Sequence, residues 1–185
     1  RDIVLKPLDY EHAKKMVAYA QKKGLFVAAN FILGFPTETW SEIRKTIDFA
    51  EEINVDYVKL FIAIPLRNTE MYDLAERTNS IIKETYDANS MWSVGGLIKS
   101  KEWTANDLTI LRAYEWDRIN FSNPKKLKRI ADRMAITVEE LNQIRKRTLN
   151  NAIETISSRN DSIESVEKAA DIALVSKKDS VNKTN

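Results

Sequence analysis

Asn30-Phe31-Ile32-Leu33-Gly34-Phe35-Pro36-Thr37-Glu38-Thr39 decides how this chain is read. Leu25 to Leu33 is an almost continuous apolar run, broken only by Asn30. That length and composition suit a strand buried on both faces, as in a parallel sheet. Gly34-Phe35-Pro36 ends it. Thr39 and Glu42 then form a capping box for a helix striped by Ile43, Ile47 and Ala50. Upstream, Asp9 caps a helix carrying Ala13, Met16, Val17 and Ala20, and Gly24 closes it. Downstream, Tyr57 to Ile64 reads as a second buried strand stopped by Pro65, and Thr69 starts the next helix. Strands alternating with helices imply βαβ units and right-handed crossovers. Two strands cannot close a sheet, so residues 1–77 read as part of a larger α/β domain.

The second half changes character. Residues 78–101 are irregular, with a turn at Gly95-Gly96. Thr104 and Asp107 open a helix through Leu108, Leu111 and Tyr114. Asn123-Pro124 starts another, striped by Leu127, Ile130, Ala131 and Met134. Thr137 and Glu140 box a third, running through Leu141, Ile144 and Thr148 to Ile156. Residues 78–156 are thus an all-helical accessory region. Residues 157–185 read as a polar tail in which Ile163, Val166, Ala170 and Ala173 suit a short helix.

The 185 residues contain no cysteine and one histidine. That excludes a disulfide framework and any thiolate-held metal or iron–sulfur site within these residues. No apolar run approaches the roughly 20 residues of a membrane-spanning helix. Arg1 opens the chain without a signal peptide, which reads as a fragment or processed chain with a cytoplasmic location. Net charge is +2, but residues 123–147 carry 8 basic and 3 acidic side chains. Such an excess marks either a solvated helix face or a phosphate-facing surface.

In parallel α/β folds, ligands bind at the carboxyl ends of the strands. The turn after Leu33 is expected to expose backbone N–H groups beside a positive helix end. Asn30 is the one polar side chain in its strand, either a donor to a ligand hydroxyl or a satisfied core asparagine. Ile32 lies on the same face, where it packs on a flat ring or fills the core. A second strand, proline turn and capped helix recur at Lys59 to Tyr72. The two turns should sit side by side.

These residues resemble a known family. Ile32 to Thr39, the Glu42/Ile43 and Thr46-Ile47 helix, and Ile64-Pro65-Leu66 leading to Thr69-Glu70 look like the C-terminal half of a radical S-adenosylmethionine (SAM) domain. The subgroup it is most similar to carries an N-terminal cobalamin-binding domain. Lys6-Pro7-Leu8-Asp9 fits the same pattern, and Glu102-Trp103-Thr104 with Leu111 to Trp116 resembles the accessory tail. The resemblance implies the C-terminal part of a partial (β/α)6 TIM-like barrel. It implies SAM bound to a 4Fe–4S cluster, 5′-deoxyadenosyl-radical chemistry, and a cobalamin site in an N-terminal domain. The partner is then the N-terminal half of the same polypeptide. By the same resemblance, the strand ending in Gly34-Phe35-Pro36 contributes to the SAM pocket. Asn30 sits where a residue contacts the ribose, and Ile32 where a side chain packs on adenine. Phe61, Ile62 and Ala63 offer backbone groups to the adenine edge.

Three features depart from the family. Its cluster is held by a Cys-x3-Cys-x2-Cys loop, which this chain lacks, so the chain alone is not catalytic. Thr37 replaces a common glycine. Arg67-Asn68 replaces proline-glycine; asparagine tolerates the left-handed conformation such a turn needs. Arg67 either faces a carboxylate or phosphate of a substrate or is an exposed loop arginine. Trp92, Trp103 and Trp116 read as anchors of the helical tail, with a substrate platform as the alternative. His12 reads as a surface residue, and Glu38 as facing either the turn or the helix N-terminus. Two readings compete. Residues 123–150 resemble a helix-turn-helix, but the second helix begins with acidic Glu139 and Glu140, which disfavours nucleic acid. The other is a non-catalytic remnant that binds a partner.

Overall fold

A computed structural model of the chain describes residues 8–83, 86 and 96–157. Its elements are α1 (Tyr10–Lys22), β1 (Ala28–Leu33), α2 (Trp40–Glu52), β2 (Tyr57–Ile62), α3 (Glu70–Arg77), α4 (Ala105–Phe121), α5 (Pro124–Met134) and α6 (Val138–Ser157). The caps read in the sequence are formed. Asp9 accepts from the His12 N–H at 3.0 Å. Thr39 with Glu42 and Thr104 with Asp107 are complete capping boxes. Asn123 caps α5 with Pro124 at its first position. Gly24 leaves α1 at φ +81°, where its N–H donates to the Gln21 carbonyl. Lys6, Pro7, Trp92, Gly95, Ile163, Val166, Ala170 and Ala173 lie outside the described residues.

β1 and β2 pair in parallel, with Asn30 opposite Lys59 and Ile32 opposite Phe61. This is a mixed α/β arrangement of six helices and a two-stranded sheet among the described residues. Both strands are shorter than the apolar runs that announce them. They are also not buried on both faces. Leu33, Val58 and Leu60 join Ile43 and Ile47 of α2 and Leu108 and Leu111 of α4 in one core. Alternate residues point the other way, and there Ala28, Asn30, Ile32, Lys59 and Phe61 are exposed. The strands carry enough apolar residues for two covered faces; among the described residues one is covered throughout and the other only at Tyr57, which packs with Trp116 against the Phe121 cluster.

The edges of the sheet are unequal. Asn120, fully buried on α4, accepts from the Val58 N–H at 2.8 Å and donates to the Val58 carbonyl at 2.9 Å. One side-chain amide thus does what a neighbouring strand would do, closing the outer edge of β2. On β1, Val27 and Leu33 bond toward β2. By alternation the backbone groups of Ala28, Asn30 and Ile32 point to the opposite edge, where no described strand pairs.

Buried charges clamp the helices. Glu115 receives Arg44 from α2 and Arg118 from α4, each at 2.7 Å. Arg118 also holds Glu51 through two bonds at 2.9 and 2.8 Å. Buried Asp56 takes the Val27 N–H and Arg129 of α5. Five of the eight basic residues of 123–147, Arg129 among them, have partners among the described residues. Lys126 donates to the Ile119 carbonyl, Lys128 pairs with Asp132, Arg133 lies over Phe26, and Arg145 pairs with Asp117. No described helix is long and apolar enough to cross a membrane.

Asn120→Ala leaves two buried backbone groups of Val58 unpaired. It should lower unfolding free energy by about 2–4 kcal/mol in urea titrations. A loss below about 0.5 kcal/mol would contradict the edge-closing role.

Candidate functional site

The site grows from the turn after β1. Gly34 is buried at φ +82°, and a Cβ there would lie 2.3 Å from Cδ1 of Leu108 on α4. Only glycine meets both the backbone and the packing demand. Trp103, buried just before α4, donates from Nε1 to the Glu38 carbonyl at 2.7 Å. Trp40 at the start of α2 bonds Glu102 twice at 2.8 Å, through its backbone N–H to the carboxylate and through Nε1 to the carbonyl. Pro36 is buried and its carbonyl accepts from Ser80. The anchoring role expected of Trp103 is therefore concrete. Trp116 does the same for β2, donating to the Tyr57 hydroxyl at 3.1 Å.

The N–H groups expected to face a ligand at this turn do not. Glu38 folds back, and one carboxylate oxygen accepts from Gly34 N–H at 2.6 Å and Phe35 N–H at 3.1 Å. Burial pushes the Glu38 carboxyl above its usual range, while those two bonds pull it down. The matching turn after β2 keeps its shape because Asn68 takes φ +65°.

The sequence-predicted residues separate into two groups. Asn30 lies exposed on the open sheet face, beside Ile32 at 49% exposure and Phe61 at 47%. Ile32 and Phe61 are register partners, so they form one apolar step across both strands. Gly34, Pro36 and Ala63 are buried and shape the site from behind. Ile62 points to the other face, against the core and close to Gly96. Arg67 is an exposed loop residue lying over the Tyr86 ring at 5.9 Å. His12 is exposed.

Two cavities flank the turn. One, of about 700 Å³, is lined by Ile32 and Phe35 together with Tyr10, Lys14, Lys45 and Phe49. The other, of about 500 Å³, is lined by Pro36, Thr37, Thr39, Ser80, Lys99 and Ser100. Both fall within the size range of small-molecule sites. Among the described residues no three histidine, aspartate or glutamate side chains gather to hold a metal. Sequence reasoning passed over Lys59, which joins Asn30 across the strands. Its signal was present, as a charge inside an apolar strand.

Two relatives match parts of this chain. It is 32% identical over 95 residues to an uncharacterized methyltransferase of Pyrococcus horikoshii, covering 51% of this chain and 20% of that protein. It is 29% identical over 77 residues to cytidylyl-2-hydroxyethylphosphonate methyltransferase of Streptomyces wedmorensis, covering 38% of this chain and 14% of that protein. The matched stretch thus spans a fifth or less of either relative. No family model and no solved structure matches. The chain is similar, over part of its length, to methyltransferases.

Gly34→Ala adds left-handed strain and the clash with Leu108, and should cost about 2–4 kcal/mol. Because the two residues touch, Gly34→Ala and Leu108→Ala should be less destabilising together than their sum. Full additivity in a double-mutant cycle would contradict the contact. Glu38 carries a raised folded pKa, so it binds more protons folded than unfolded. Its contribution to stability is therefore present at acid pH and declines as pH rises through the folded pKa. Glu38→Gln should remove that decline from the stability–pH curve. An unchanged slope would contradict it.

Proposed function

We propose that this chain is the C-terminal part of a radical SAM methyltransferase and supplies one wall of its SAM pocket. The single observation that carries the reading is the open sheet face at the carboxyl ends of β1 and β2. There Asn30, Ile32 and Phe61 are exposed side by side, above a turn built on Gly34. An apolar step next to an amide suits a purine and its ribose. The partial likeness to two methyltransferases supports a methyl donor as the ligand. The likeness in sequence to the radical SAM family supports a partial (β/α)6 barrel. Further strands would then pair on the free edge of β1, since Asn120 closes the other edge.

These residues fit the nucleoside of SAM. They do not fit an iron–sulfur cluster, because the chain has no cysteine and no described cluster of metal ligands. The 4Fe–4S cluster and any cobalamin belong to other parts of the polypeptide in this reading, and no step through them is assigned to residues here. Ile32 and Phe61 would exclude water from the adenine, and Asn30 would orient the ribose. Gly34, Pro36 and Ala63, buried behind this face, would hold the two strand ends in place. The location would be cytoplasmic.

The test uses the full-length protein. Ile32 is half-exposed, so Ile32→Asp should leave the melting temperature nearly unchanged. It should weaken SAM binding in calorimetry by about tenfold or more, as loss of an apolar contact and a new charge require. Unchanged SAM affinity in Ile32→Asp and Asn30→Ala together would remove this face from the site.

A further inference from the structure

Three segments of chain meet around the smaller cavity, of about 500 Å³. They are the turn at 36–39, the end of α3 at 78–80 and the stretch 99–102 before α4. Each pair of segments is tied together. The Ser80 hydroxyl donates to the Pro36 carbonyl at 3.4 Å, and the Lys99 N–H donates to the Ser80 carbonyl at 2.9 Å. Trp103 bonds Glu38, and Glu102 bonds Trp40, across the third pair. Ser80 is buried, so the wall is in place before a ligand arrives. A pocket held in this way spares the ligand the cost of ordering it.

The charges that line the cavity differ in how they are engaged. Both carboxylates receive backbone amides. Glu38 takes the Gly34 and Phe35 N–H groups, and Glu102 takes the Trp40 N–H at the head of α2. Lys99 and Lys101 are exposed, and among the described residues neither makes an ion pair. Their backbone is nevertheless fixed. Lys99 is bonded to Ser80, and Lys101 lies inside a turn where the Ser100 Oγ accepts from the Glu102 and Trp103 N–H groups. Two ammonium groups therefore project from a fixed rim with no carboxylate to meet them. Hydroxyls complete the lining. Thr37 is exposed, Thr78 and Ser80 lie 2.8 Å apart, and the Ser100 hydroxyl keeps its own proton to donate.

We propose that this cavity binds a phosphate monoester of a small polyol, with Lys99 and Lys101 on the phosphate and the hydroxyls of Thr37, Thr78 and Ser100 against the polyol. Two mobile ammonium groups suit a dianion, since each is a compact charge with three donors that needs no fixed orientation. Serine and threonine hydroxyls both donate and accept, as a polyol does. The site is separate from the open sheet face and stands whether or not SAM binds there.

Calorimetry on the full-length protein tests it with ribose 5-phosphate and glycerol 3-phosphate, and with inorganic phosphate and ribose as the separate halves. At least one ester should bind more tightly than phosphate, and ribose should not bind. Lys99→Met combined with Lys101→Met should weaken the ester by about tenfold or more. The melting temperature should hold, because both side chains are exposed. Lys99→Arg combined with Lys101→Arg should keep most of the affinity. A charge-matched control, Lys15→Met on α1 with Lys125→Met on α5, should change it by less than about twofold. Failure of both esters to bind at up to about 10 mM overturns the proposal. So does an unchanged affinity in the double Met variant, or an equal loss in the control, which would assign the effect to overall charge. Phosphate binding as tightly as the better ester also overturns it, because the polyol would then have no part.

Discussion

The contact between Gly34 and Leu108 is the constraint on which the rest of this structure depends. Gly34 closes β1 in a left-handed conformation, and Leu108 fills the space a side chain would need. That contact fixes where α4 begins, and Trp103 ties the same point to the Glu38 carbonyl. Seventeen residues of helix then run along β2 until Asn120 takes both backbone groups of Val58. Held at two ends, α4 closes one edge and one face of the sheet. It leaves the other edge and the other face open. The geometry of the candidate site is a consequence of that asymmetry.

Electrostatics follow the same division. On the covered side, charges are paired at short range, and Glu115 joins α2 to α4 through Arg44 and Arg118. Breaking such a pair leaves a buried charge without compensation, so these clamps fix the helices more than they add net stability. On the open face, Lys59 is exposed and makes no ion pair with a described carboxylate. Glu38 is the intermediate case. Its carboxylate stays at the turn because two backbone N–H groups receive it, against the cost of burial.

What the sequence revealed divides by range. Caps are local, and Asp9, Thr39, Thr104 and Asn123 could be read because a cap needs only its own first turn. The strands could be found from their apolar runs, but not their exposure. Leu25 to Leu33 looks the same whether one face or two is covered, and coverage depends on distant chain. The fold-back of Glu38 was one of two readings left open. Asn120 gave no signal at all. It sits in a helical pattern where a polar residue is ordinary, and its meaning comes from Val58, 62 positions earlier. Asn30 was legible for the opposite reason, as a polar residue in an apolar strand.

In the proposed reading a SAM nucleoside would lie across β1 and β2, above the glycine turn; the open face and the partial likeness to methyltransferases support it. Hydrogen–deuterium exchange of the full-length protein with and without SAM tests this most directly. Bound nucleoside should slow exchange in the segments 28–38 and 57–63 together and leave α5 and α6 unchanged. Binding without added protection in either strand segment would contradict the assignment of this face.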